Sequence, residues 1–175
     1  MPIDETLPFR PIAIAVLTIS DSRTMETDSS GAILAERIEG AGHSLASRAI
    51  VPDDAVAIEA ALRDLMADAS VDAVITTGGT GLTGRDVTPE ALQAVATRDI
   101  PGFGELFRWI SMDSIGTSTI QSRACAVVAG GTYIFALPGS NGAVRDGWDR
   151  ILREQLDSRN RPCNFVDLMP RLREV

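Results

Sequence analysis

The stretch Ala73–Leu92, AVITTGGTGLTGRDVTPEAL, constrains this chain more than any other. It opens with a short apolar run, Ala73-Val74-Ile75, closed by Thr76-Thr77. An apolar run this short, bounded by turn residues, predicts a buried strand in a parallel sheet. Four glycines follow within seven residues: Gly78, Gly79, Gly81 and Gly84. Glycine admits positive φ and lets a ligand approach the main chain closely. Asp86 comes next, and then Thr88-Pro89-Glu90, a helix start with Thr88 as N-cap and Pro89 at the first helical position. Strand, glycine loop, carboxylate and helix N-terminus, in that order, aim backbone N–H groups at a phosphate. A tight turn also uses glycine, but four glycines and a loop acid exceed what a turn needs.

Two known phosphate motifs can be tested against this stretch. The P-loop requires Gly-Lys-Ser/Thr, and the chain contains no lysine, so that chemistry is excluded. Gly79-x-Gly81-x-x-Gly84 matches the dinucleotide fingerprint in spacing only. Arg85-Asp86-Val87 separate it from the helix start, and the acid expected about 20 residues on at the end of the next strand is missing. A nicotinamide enzyme is therefore a distant alternative.

The 175 residues suit one domain with a real core, and 45% hydrophobic content with interspersed charge suits a globular chain. A net charge of −8 argues against nucleic-acid binding, and it requires that an anionic ligand be held by local donors and metal. Cys125 and Cys163 are too few for a disulfide scaffold or a cysteine zinc site. Cys125, inside the apolar run Ala124–Ala129, reads as a buried small hydrophobe. Met1–Arg10 lacks a basic leader region, and no apolar run approaches the length of a membrane span. A cytoplasmic protein, away from membranes, is the expectation.

In chain order, Pro11–Ile19 reads as a first buried strand ending in the polar turn Ser20-Asp21-Ser22-Arg23. A helix after Asp28 carries Leu34 and Ile38, and Gly40 and Gly42 end it. Ser44–Val51 is a weaker strand. Asp53 or Asp54 can cap the following helix, whose stripe is Ile58, Leu62, Leu65, Met66 and Ala69. The helix after the glycine loop is expected to run to about Thr97. Phe103, Leu106, Phe107 and Ile110 then predict a helix through about Ser114, its stripe serving core or subunit packing. Ala124–Ala129 and Tyr133–Leu137 predict a hairpin about Gly130-Gly131. Pro138–Gly142 is a polar elbow into a last helix with Val144, Trp148, Ile151 and Leu152. Residues 1–10 and 158–175 read as extended arms on a single domain spanning 1–175.

Strands alternating with helices predict a three-layer α/β/α sandwich with a mostly parallel sheet plus a short hairpin, and the order 2-1-3 for the first three strands. Ligands of such sheets sit at the carboxyl ends of the strands. Ser20-Asp21, Asp53, Gly78–Asp86 and Ser140-Asn141 all follow strands, so they converge on one edge. The single histidine, His43, reads as an exposed loop residue, and no Ser-His-Asp set is present. Two loop carboxylates beside a phosphate cradle suit Mg²⁺, which is often held by one or two carboxylates plus substrate phosphates. For Asp53 a helix cap is as good a reading. Asp86 is freer, because Thr88 is the expected cap.

TISDSR at 18–23, VPDD at 51–54, TTGGTGLTGRDVTPEAL at 76–92, IPGFGE at 100–105, SR at 122–123 and LPGSNGAV at 137–144 together resemble the MoaB/MogA family of molybdenum cofactor biosynthesis. The ending QLDSRNRPCNF at 155–165 looks most like the MoaB branch. The resemblance implies a molybdopterin-binding fold, and an adenylyltransferase that uses Mg-ATP to attach AMP to molybdopterin and releases pyrophosphate. A non-catalytic molybdopterin carrier or scaffold is the alternative within the same family. Asp53 and Asp86 match the family's critical acids, implied to be catalytic and to hold the metal. Thr77, Gly78, Gly79, Thr80 and Gly81 match its phosphate cradle, and Ser20, Asp21, Pro138, Gly139 and Ser140 match pocket positions. Asn141 departs from the pattern, standing where many relatives carry a second proline. The resemblance further implies other cofactor-biosynthesis proteins as partners and a homo-trimer or homo-hexamer.

Overall fold

The computed structural model of the chain describes residues 3–174; Met1, Pro2 and Val175, the outermost residues of the two expected arms, lie outside them. Six strands form one sheet in the order β2-β1-β3-β6-β5-β4. They are β1 (Ala13–Ile19), β2 (Ser44–Val51), β3 (Ala73–Thr77), β4 (Arg98–Asp99), β5 (Cys125–Ala129) and β6 (Thr132–Leu137). The first three strands take the expected 2-1-3 order, and β2, β1, β3 and β6 run parallel. β5 returns antiparallel to β6 through Gly130 and Gly131, both at positive φ, as a tight hairpin requires.

The apolar runs are continuous because helices cover both faces of the sheet. Ile14, Val16, Ile75 and Phe135 point to one face, where they meet α1 (Ser29–Gly40), α4 (Pro101–Ile115) and α5 (Asn141–Gly147) through Leu34, Ile38, Phe103, Phe107 and Val144, joined by Trp148 just after α5. Ala15, Leu17, Val74 and Ile134 point to the other, against α2 (Ala55–Ala67) and α3 (Thr88–Val95) through Ile58, Leu62, Leu92 and Val95. The architecture is thus the three-layer α/β sandwich. Each fully buried large side chain contributes about 1.5–3 kcal/mol, so the central strands anchor the rigid edge on which the loops sit.

Several expectations need correction. The helix after the glycine loop ends at Val95, and Arg98–Asp99 instead pairs with β5 as a two-residue edge strand. A 3-10 segment, Gly116–Gln121, follows α4. The last helix passes through a π-type turn at Trp148–Leu152 before ending at Gln155. His43 is buried: its Nδ1 accepts from the Ile12 N–H at 3.3 Å, between the rings of Phe9 and Trp148. Cys125 is only half-buried, and burial pushes its thiol up to about 11.

The tail is no free arm. It contains the short helix Phe165–Leu168, with Phe165 packed on Tyr133 and Phe135 at 4.8 and 5.5 Å between ring centroids. One aromatic anchor has no periodicity, so no stripe announced it. The N-terminal segment pairs with the tail, through an Ile3–Asn160 bridge and the Arg10 N–H on Ser158 Oγ at 2.9 Å.

Candidate functional site

The carboxyl ends of β1, β2, β3 and β6 bring the polar clusters to one edge. Ser20 and Asp21 follow β1, Asp53 follows β2, Gly78–Gly81 follow β3, and Pro138–Ser140 follow β6. Gly78 N–H donates to Leu137 O at 3.0 Å and Thr77 Oγ1 to Pro138 O at 3.2 Å, so the glycine loop and the elbow are tied together. Gly139 fits beside them because its Cα faces Gly78; a Cβ there would stand 3.3 Å from Gly78 Cα.

The loop is shaped by the protein as much as for a ligand. Gly78 and Gly79 have φ of 111° and 63°. A Cβ on Gly79 would overlap Thr88 Oγ1 and stand 2.9 Å from Asp53 Oδ1. Thr88 is not the helix cap expected of it. Helix α3 has no side-chain cap, and the Thr88 hydroxyl donates to Gly78 O at 2.9 Å while its N–H reaches Gly79 O at 3.0 Å. With Gly78 N–H used by Leu137, the N–H groups of Gly79 and Thr80 are the ones in the loop core without a partner among the described residues. The cradle is narrower than four glycines suggested.

Asp54, not Asp53, caps α2, accepting from Ala57 N–H at 2.9 Å. That frees Asp53. Its Oδ1 is enclosed and has no hydrogen-bond partner among the described residues. Burial first, and then the charge of Asp86, raise the pKa of Asp53, opposed by the Val87 N–H. Asp86 is held differently: its Oδ2 accepts from Thr83 Oγ1 at 2.6 Å and Thr83 N–H at 2.9 Å. The Thr83 hydroxyl, joined by the Thr83 and Gly81 N–H groups and the Arg123 charge, holds its pKa below the usual carboxylate value despite partial burial. Two carboxylates thus face one loop with opposite proton affinities. Asp21 links the outer rim, accepting from Asp53 N–H at 3.1 Å and pairing with Arg85. Ser20 Oγ closes its own turn through the N–H groups of Ser22 and Arg23, and Ser140 caps α5.

Arg123 was missed as a site residue. Its Nε donates to Gly81 O at 2.7 Å and its N–H to Thr80 O at 3.0 Å, and the guanidinium also holds Asp86 O and Glu90. It sits inside the Ser122-Arg123 motif, but a lone arginine has no spacing signature that reveals what it clamps.

Two openings flank the loop. A largely apolar cavity of about 430 Å³ lies on the β6 side, walled by Thr80, Gly81, Phe107, Ile115, Pro138 and Ser140. A more open groove of about 620 Å³ lies on the β1–β2 side, with Ser20, Asp21, Arg23, Arg48 and Pro52. No three of His, Cys, Asp and Glu gather as a metal set among the described residues. Asp53 and Asp86 fit the one- or two-carboxylate mode of Mg²⁺, and the orphaned Asp53 oxygen is what such a cation would satisfy.

Residues 15–158 match the family model described as a probable molybdopterin binding domain. The molybdenum cofactor biosynthesis protein B of Escherichia coli is 49% identical over 157 residues, covering 90% of this chain and 92% of that one. The protein of the same name from Bacillus subtilis is 42% identical, covering 81% and 84%. A crystal structure of a molybdenum cofactor biosynthesis protein B superposes with a TM-score of 0.82 at 44% identity, over 84% of this chain and 92% of that one. The tungsten cofactor synthesizing protein MoaB of Pyrococcus furiosus does so with a TM-score of 0.74 at 33% identity, over 83% and 92%. The chain therefore belongs to the MoaB/MogA family of molybdenum cofactor biosynthesis proteins, most similar to its MoaB members.

Proposed function

We propose that this chain works in molybdenum cofactor biosynthesis by binding molybdopterin and adenylylating it with Mg-ATP. The observation that carries the reading is the pair Asp53 and Asp86 across the glycine loop. One has an enclosed oxygen with no partner among the described residues, and the other has its pKa lowered by Thr83 and Arg123. In this reading the apolar cavity takes the pterin, and the Gly79 and Thr80 N–H groups hold phosphate. The terminal phosphate oxygen of molybdopterin attacks the α-phosphorus of ATP. A new P–O bond forms, the bond to the β-phosphate breaks, and pyrophosphate leaves. Mg²⁺, when bound, offsets charge on the phosphates. Asp53 and Asp86 orient that charge, and the loop fixes the reacting oxygens in line. Because the chain carries a net charge of −8, these local donors must do the anion binding.

The test is molybdopterin binding by calorimetry alongside pyrophosphate release with Mg-ATP. Both signals are expected. Asp86→Asn keeps the shape but offers a hard cation a poorer ligand, so release should fall on the order of a hundredfold while molybdopterin binding without nucleotide holds. Binding without any pyrophosphate release would instead make the chain a molybdopterin carrier.

A further inference from the structure

The cavity beside the glycine loop has a feature that phosphate binding leaves unused. Its lining is apolar or hydroxyl-bearing apart from Gln121 and two charged residues, Arg145 and Asp146, both on α5. Arg145 is exposed, whereas Asp146 is half-buried. The Asp146 carboxylate accepts one hydrogen bond among the described residues, from Ser114 Oγ to Oδ2 at 3.1 Å. Ser114 is itself anchored, because its hydroxyl also reaches Ser111 O at 3.1 Å. Arg150 pairs with Asp113, and among the described residues no arginine pairs with Asp146. A fixed carboxylate with open acceptor positions therefore looks into a cavity of about 430 Å³ walled by Phe107, Ile115 and Pro138.

An ionised carboxylate only accepts, and its two oxygens match two parallel N–H donors. A 2-amino-4-oxo pteridine presents that pair along one edge, from its 2-amino group and N3–H. Apolar walls suit the faces of a flat fused ring, and the volume lies within the usual range for a small-molecule site. Low surrounding polarity strengthens the charged hydrogen bonds.

We infer that Asp146, held in place by Ser114, reads the amino edge of the pterin and makes the cavity selective for a 2-amino-4-oxo ring over a 2,4-dioxo ring. This rests on the proposed molybdopterin reading and adds the residue that sets ring specificity. Asp146 stands on α5 and not on the glycine loop, so its effect belongs to recognition and not to the transfer step.

The experiment titrates two ligands, 6-hydroxymethylpterin and 6-hydroxymethyllumazine, into the wild-type chain and Asp146→Asn by calorimetry, with molybdopterin titrated in parallel. The wild-type chain should prefer the pterin by about tenfold or more, the scale of one charged hydrogen bond. Asn keeps an acceptor for Ser114, so the melting temperature should hold. Its amide can accept N3–H and donate to the 2-oxo group, so the preference should vanish or turn toward the lumazine. If both fragments bind too weakly to measure, a tenfold loss of molybdopterin affinity in Asp146→Asn decides in favour. An unchanged ring preference, or unchanged molybdopterin affinity, overturns the role of Asp146 and leaves the molybdopterin reading intact. Failure of the wild-type chain to bind molybdopterin overturns both.

Discussion

Asp53 sits where a carboxylate is uncomfortable. Its enclosed Oδ1 has no partner among the described residues, and burial, with the negative charge of Asp86 second, raises its pKa in the folded chain. A carboxyl whose folded pKa exceeds its unfolded value gives its full stability below the unfolded value and loses it as pH rises through the folded one. At neutral pH the ionised Asp53 is thus a cost that a cation would relieve. Asp53→Asn should therefore raise the metal-free melting temperature while abolishing pyrophosphate release. Adding millimolar Mg²⁺ to the ATP-bound protein should raise the melting temperature of the wild-type chain further and leave the variant at its ATP-only value. A wild-type gain that survives in Asp53→Asn would take Asp53 out of the metal site. At this scale Asp86 stood out from the loop itself, because another residue was expected to start the helix, whereas Asp53 read equally well as a cap and only the family resemblance singled it out. The choice of cap was not legible, because Asp53 and Asp54 are adjacent and only backbone direction decides which one turns to the Ala57 N–H.

Among the elements, the loop between β3 and α3 depends on a residue far along the chain. Arg123 holds Gly81 O, Thr80 O and Asp86 O together, and its charge helps keep Asp86 ionised. Arg123→Ala should lower turnover about 10–100-fold, as losses of supporting contacts do, and Arg123→Lys should recover part of it. Asp86 has a lowered pKa, so it loses its charge only as pH falls through that value. Removing Arg123 should raise the Asp86 value, read by carboxyl NMR titration, because the raised pKa of Asp53 sets the acid limb of the rate profile. A fall in melting temperature with an unmoved Asp86 titration would assign Arg123 to structure alone. The elements themselves were largely legible because burial on both faces writes unbroken apolar runs for β1, β3 and β6. Three features were not. β4 is two residues long, the tail is anchored by Phe165 without a repeat, and His43 is buried by Phe9 and Trp148, which are distant in sequence.

At the scale of the whole molecule, α4 leaves an apolar face uncovered. The stripe that sequence spacing assigned to packing divides: Phe103 and Phe107 are buried in this chain's own core. The opposite side of the same helix and the 3-10 segment after it carry Leu106, Trp109, Met112, Ile115 and Ile120, with Trp109 76% and Ile120 81% exposed. An apolar patch of this kind is uncommon on a monomer. The tail is held on its own chain, where Phe165 packs on Tyr133, so it offers no free arm to a partner subunit. We expect a homo-trimer or homo-hexamer that uses the α4 face. A net charge of −8 on each chain opposes association, so an assembly held by this apolar face should persist, and tighten, as salt rises. Light scattering at micromolar concentration should give three or six times the chain mass of 18.6 kDa. Trp109→Glu with Ile120→Glu places like charges on the face and should release monomers that keep their melting transition. A wild-type chain that scatters as a monomer across 50–500 mM salt, about a threefold change in screening length, would rule the assembly out. An oligomer unchanged by the double substitution would move its interface elsewhere.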